Sequence, residues 1–368
     1  MQAKTESADR RHLLTPPAQV FWLSGGMRLI VDAERSCRLL TVSPHRVASF
    51  KLGDSKIGSV LFDYKNIRVL AHSMSFSDRD LNDPIADQFV LFAVKDREYL
   101  TSTQQIYWSG VGNVFNENGK YDEEGMVRRL RTQMRVAHRR FEKLFSSYSH
   151  FLDFEENDRS ILFRNKHSQN IGLEFSALLD SLFSLRDAVN SIAFRLLLGG
   201  VGTFDTKKLK TKILGKSDSE FSTLLASSMF EEASGDLLLR RMSTYRAVAL
   251  HCLGTTNPVT GDGIYFRKDS GIFGSIRRVV FPLYDDMQKM REIETGTPAG
   301  FSFRRDDEEL RRFMERPRHD DALDFGFLTL ARLLDLCRLL GSELGLESRL
   351  LTLTDNDIID FKTVVDRG

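Results

Sequence analysis

The apolar positions change period once along the chain, near residue 119. Before that point they fall in short runs rich in β-branched and aromatic residues: Phe21-Trp22-Leu23, Met27-Arg28-Leu29-Ile30-Val31, Leu39-Leu40-Thr41-Val42, Ile57 to Phe62, Ile67-Arg68-Val69-Leu70, Phe89 to Val94 and Gln105-Ile106-Tyr107-Trp108. Turn residues such as Gly25-Gly26 separate them. Short runs of this kind predict an antiparallel sheet or small barrel over residues 18–116, behind a flexible tail at residues 1–17. The turn Asn116-Glu117-Asn118-Gly119 predicts the domain boundary.

Beyond the turn, apolar residues step by three and four. Met126, Leu130, Met134, Phe141, Leu144 and Phe145 predict a helix over 122–151 whose other face carries Arg128, Arg129, Arg131, Arg135, Arg139 and Arg140. A second series, Ile171, Phe175, Leu178, Leu182, Leu185, Val189, Ile192 and Leu196, predicts a helix over 170–198 with Asp180, Arg186, Asp187 and Asn190 on its polar side. Gly199-Gly200-Val201-Gly202 stops it. Further helices are expected over 218–232 (capped by Ser217), 237–253, 284–294, 306–315 and 320–344, with a hairpin turning at Asp269-Ser270-Gly271. In the last helix Leu323, Phe327, Leu330, Leu334, Cys337 and Leu340 form a stripe that Leu328, Leu333, Leu336 and Leu344 widen. So wide a face predicts burial on more than one side, in a bundle or at a dimer contact. The whole reads as an α+β protein: a β-rich domain at 18–116, a helical bundle at 120–345 and a C-terminal extension at 346–368.

Composition narrows the function. With 41% hydrophobic and 28% charged residues among 368, the chain has material for a real core. Its net charge of +1 removes any global electrostatic case for nucleic acid, so a basic surface has to be local. The arginine face is the place for one, and Arg128, Arg131, Arg135 and Arg139 are the candidate RNA-phosphate contacts. Cys37, Cys252 and Cys337 are far apart and form no CxxC pair, so neither a disulfide framework nor a cysteine zinc site is expected. HExxH and GxSxG are absent, and Gly199 to Thr203 follows a helix and lacks the ending of a phosphate loop. No cofactor or metal is therefore expected. A polar start and no apolar run approaching ~18 residues lead to the expectation of a cytoplasmic protein without a membrane segment.

Candidate chemistry comes from the histidines. Four of the eight follow an arginine by five to seven positions: His45, His138, His251 and His319. Arg38/His45 and Arg312/His319 bracket prolines, and Arg131/His138 lies on the arginine face. Only Arg246 and His251 are joined by residues that suit a packed helix, Ala247-Val248-Ala249-Leu250. On a helix they stand about 140° apart, so both can border one cleft. An always-charged guanidinium beside a group that titrates near neutrality suits phosphodiester chemistry.

Arg246-x4-His251, preceded by the helix around Leu178 to Asp187 and followed by the one around Phe327 to Leu336, resembles the HEPN superfamily over residues 120–345. The resemblance implies a bundle of four or five helices, often dimeric, and metal-independent RNA cleavage. His251 would then be general acid or base, and Arg246 would stabilise charge on the phosphorane. Asp187 or Asp180 from the earlier helix would orient one of them. It also implies a toxin or defence-type ribonuclease that acts on RNA as a homodimer, with the β-rich part as a sensing or targeting module open to a partner protein. Ala247 departs from the family pattern, in which a polar residue usually follows the arginine. The alternative is a non-catalytic dimeric scaffold or binding protein that keeps the bundle.

Overall fold

The computed structural model describes residues 13–32, 34–41, 48–51, 67–77, 90–91, 100–151, 165–200, 204–215, 219–231, 233, 235–251, 264–271, 274–283 and 321–346. Side chains are described for these except 13–17, 48–51, 72–77, 90–91, 100–103, 248–251, 270–271 and 274–275. The chain is α+β. Strands β1 (Leu13–Leu23), β2 (Arg28–Val31), β3 (Ser36–Leu40), β4 (Ala48–Lys51), β5 (Val69–Ser77) and β6 (Val90–Leu91) form one antiparallel sheet in the order β4-β3-β2-β1-β5-β6. Helices α1 (Leu100–Glu117), α2 (Tyr121–Ser149), α3 (Lys166–Ile192), α4 (Thr206–Leu214), α5 (Glu220–Met229) and α6 (Leu238–His251) follow. A hairpin of β7 (Tyr265–Gly271) and β8 (Gly274–Val280) then precedes α7 (Ala322–Glu343).

Sheet and helices share one core. Ala18, Val20, Trp22, Ile30 and Leu70 belong to the same apolar cluster as the buried residues of α1, α2, α3 and α7. Trp22 meets Phe145 of α2 edge-on, with ring centroids 5.1 Å apart. The other sheet face buries Leu23, Leu29, Val31, Cys37 and Leu39 with Ile276 of β8. Cover on both faces explains why Arg28-Leu29-Ile30-Val31 is buried at every position rather than at alternate ones. The wide stripe of α7 is likewise covered within the chain, because α1, α2, α3, α5 and α6 all pack on it.

Several expectations need correction. Gln105 to Trp108 is helix, not strand. Gln104, Trp108, Val111 and Phe115 are buried at helical spacing along α1, a period that the aromatic content of the run disguised. The turn at Asn116 to Gly119 consequently joins α1 to α2, with Gly119 at φ +69°. β1 begins at Leu13, inside the expected tail, where Leu13 pairs with Ser77. The cap of α5 is Ser219, whose Oγ accepts from Ser222 N at 3.0 Å, rather than Ser217, which lies outside the described residues. Asp269, Ser270 and Gly271 lie in β7 rather than at a turn, and Asp269 is held there by Arg278 on the neighbouring strand. The expected strand at 57–62, the helices at 284–294 and 306–315, and most of the 346–368 extension lie outside the described residues.

Candidate functional site

Of the sequence-derived pair, Arg246 lies at the seam between α3 and α6. Asp180, Phe183 and Asp187 recur on one side of α3 at intervals of three and four, and Ser243 and Arg246 recur likewise on α6. The helices run antiparallel there, so Asp180 meets Arg246 and Arg186 meets Ser243. Arg246 Nε donates to Asp180 Oδ1 at 2.8 Å, and the two side chains are 31% and 47% exposed. The Arg246 guanidinium carbon sits 4.1 Å from the centroid of the Phe183 ring, and that of Arg186 sits 3.8 Å from the same centroid. One ring thus carries two guanidiniums, each matched by its own carboxylate. Among the described residues the terminal nitrogens of Arg246 make no hydrogen bond.

Asp187, one of the two carboxylates that the sequence offered, pairs with its neighbour Arg186. It accepts from Arg186 Nε at 3.1 Å and Nη2 at 2.7 Å, and Arg186 Nη1 in turn donates to Ser243 Oγ. The carboxylate that reaches Arg246 is Asp180, two turns earlier, because the antiparallel packing sets Arg246 beside the middle of α3. His251 is the last residue of α6, and its side chain lies outside the described residues. Its backbone stands about 7.5 Å further along the axis than that of Arg246. Phe183 carried no signal of its own in the sequence, since it occurs among apolar neighbours. Only the pairing of α3 with α6 gives it a role.

The arginine face of α2 divides into two flanks. Arg140 lies 3.6 Å from Glu174 of α3, which places the flank of Arg129, Val136 and Arg140 beside α3. Arg128, Arg131, Arg135 and Arg139 lie roughly 100° round the helix, turned away from α3 and therefore from Arg246. Arg128 pairs with Glu124 and Arg139 with the buried Glu142 at 2.9 Å, while Arg135 is exposed. The four candidate RNA contacts and the Arg246 seam do not share a face.

A second polar centre had no sequence signal, because its members span the chain from Ser24 to Asp324. Asp321, fully inside the fold, accepts from Tyr148 Oη at 2.7 Å and from Phe281 N at 2.7 Å. Arg278, also buried, donates to Asp269 Oδ2 at 2.7 Å and lies 3.7 Å from Asp324 Oδ2. Asp324 Oδ1 accepts from Ser24 Oγ at 2.7 Å. Burial pushes the Asp321 carboxyl up to about 7, helped by the neighbouring Asp324 charge, with Tyr148, Phe281 N and Arg278 pulling the other way. Burial also works against the charge of Arg278, but the three aspartates outweigh it and hold the guanidinium protonated.

Among the described residues no group of three or more metal-ligating side chains occurs, and no helix is long and apolar enough to cross a membrane. The chain matches no family model, no curated protein and no solved structure with which it was compared.

Proposed function

We propose that the α3/α6 seam is the phosphate-recognising half of a metal-independent RNA-cleaving site, of the kind that the HEPN resemblance implies. The observation that carries this reading is the Asp180–Arg246 pair: a half-exposed guanidinium fixed at Nε by a carboxylate and at its face by Phe183, with its terminal nitrogens turned to no partner among the described residues. A guanidinium held in that way is set to meet charge that develops on a phosphorane. His251 supplies the general acid or base for the 2′-hydroxyl or the leaving oxygen. Arg128, Arg131, Arg135 and Arg139 hold RNA backbone at a distance from the reacting bond. The wider role is that of a cytoplasmic toxin or defence-type ribonuclease, working as a homodimer, with the N-terminal sheet as sensing or targeting module for a partner protein.

A second reading, a non-catalytic dimeric scaffold, is favoured by Ala247 directly after the arginine and by Asp180 already neutralising Arg246. Incubation of the full chain with RNA in EDTA separates the two. Cleavage by wild type that is lost in Arg246→Ala and in His251→Ala supports the nuclease. Equal cleavage by both variants removes the seam from the reaction, and no cleavage of any RNA by wild type supports the scaffold.

A further inference from the structure

Where the sheet, the hairpin and the bundle meet, the balance of charge does not close. Three carboxylates, Asp269, Asp321 and Asp324, converge on one buried guanidinium, Arg278. Asp269 takes the Nε of Arg278 and has the half-exposed Arg267 at 3.5 Å as a second cation. Asp324 Oδ2 lies 3.7 Å from Nη1 at the far end of Arg278, and Asp324 Oδ1 accepts from the hydroxyl of Ser24. Among the described residues Asp321 has no cation within 4.0 Å. Its Oδ1 is met by two neutral donors, Tyr148 Oη and Phe281 N, and among the described residues its buried Oδ2 has no hydrogen-bond partner. A buried carboxylate in that position, with Asp324 adding like charge, costs far more than a neutral carboxyl does.

The position of Asp321 gives this consequence. It is the residue before α7, it forms a bridge with Pro282, and Ala322 N donates to Phe281 O at 3.0 Å. Its partner Tyr148 closes α2 and accepts from Leu323 N at 3.2 Å. The β1–β2 turn is packed directly beneath: a Cβ on Gly25 would lie 2.5 Å from Arg278 Cβ, and one on Gly26 would lie 2.7 Å from Tyr148 Cβ. One carboxyl therefore touches the ends of α2, β8 and α7, and its neighbours clamp the sheet.

We infer that this junction is a proton-operated clasp: protonated Asp321 holds the hairpin, the start of α7 and the Ser24–Gly26 turn together, and loss of that proton loosens them. Among the described residues the groups that face it are Tyr148 from α2, Asp324 from α7, Arg278 from β8, and Tyr265, Arg267 and Asp269 from β7. Tyr148 and Tyr265 are themselves held neutral by burial well past the working range, so Asp321 is the group that changes charge. The sign follows from linkage. The closed junction binds the proton more tightly than the open one, in which the carboxyl returns to its ordinary value near ~4. Closure is then strongest in acid and is lost as pH rises towards 7, where Asp321 ionises in the closed state as well. The opening equilibrium rises by up to about tenfold per pH unit over that range and levels off above it.

Amide exchange in the full chain at pH 5 to 8, corrected for the intrinsic pH dependence of exchange, reads the clasp directly. Opening at Ser24–Gly26, Phe281 and Leu323 is expected to increase with pH and to level off near neutrality. Asp321→Asn copies the neutral carboxyl and keeps an acceptor for Tyr148 and Phe281 N, so it is expected to flatten that profile and to protect these amides at pH 7.5. Tyr148→Phe removes a donor that favours the ionised form, and is expected to move the levelling-off point to higher pH. An Asp321→Asn profile that parallels wild type overturns the proposal, as does a wild-type profile without pH dependence. If Asp321→Asn fails to fold, an unmoved profile in Tyr148→Phe overturns it equally.

Discussion

Asp180 Oδ1 lies 2.8 Å from Arg246 Nε, across the α3/α6 seam and 66 positions away in sequence. The contact fixes a guanidinium at one edge, and among the described residues its terminal nitrogens make no hydrogen bond. Of the two carboxylates that helix position offered, Asp180 contacts Arg246 and Asp187 contacts Arg186.

Asp180→Asn separates stability from activity. The pair is half-exposed, so its loss is expected to cost less than about 1 kcal/mol in chemical denaturation. If the seam cleaves RNA, a guanidinium free to swing off Phe183 lowers the cleavage rate by roughly 10- to 100-fold. A rate unchanged from wild type would show that Arg246 needs no positioning.

Gly26 and Gly119 make a matched test of close approach. Both have positive φ, at +75° and +69°, but a Cβ at Gly26 would meet Tyr148 at 2.7 Å whereas nothing lies within 4 Å of one at Gly119. Gly119→Ala is expected to cost about 1 kcal/mol, the conformational term alone. Gly26→Ala adds overpacking and is expected to cost about 1–3 kcal/mol more. Equal costs in urea titrations would mean that the turn is not pressed on α2.

Trp22 tests whether sheet and bundle unfold together. It is completely buried on the sheet face that meets Phe145. Trp22→Ala is expected to cost about 3–5 kcal/mol. The shift should be the same when followed by helical circular dichroism and by a probe on the sheet. A bundle transition that stays in place while the sheet melts early would divide the core that the two parts share.

The arginine flank has a salt signature. If it holds single-stranded RNA, Arg128→Ala with Arg135→Ala lowers the slope of log affinity against log salt by about 1.4, or ~0.7 for each phosphate contact. Cleavage chemistry at the seam is expected to change little, because the flank faces away from α3. An unchanged slope would assign these arginines to a solvated surface.

Local pattern carried most of the element order. The three-and-four stepping from Ile171 to Leu196 became α3 with its π-helical end at Ala193–Leu197, and the runs at Trp22, Ile30 and Leu39 became β1, β2 and β3. Periodicity is written in neighbours, so a single chain displays it. Where β-branched and aromatic content disagreed with period, as at Ile106-Tyr107-Trp108, the buried series Gln104, Trp108, Val111 and Phe115 decided for a helix. Tertiary structure alone determined the partners. Asp180 rather than Asp187 faces Arg246 because of the direction in which α3 and α6 cross. Tyr148, Arg278 and Asp321 meet because a hairpin, a turn and two helix ends close on one another, with up to 300 residues between Ser24 and Asp324. Such contacts depend on packing between distant elements, and each residue taken alone looks like an ordinary surface group. Sequence therefore identified the helix that bears Arg246, and the fold supplied the carboxylate and the ring that hold it.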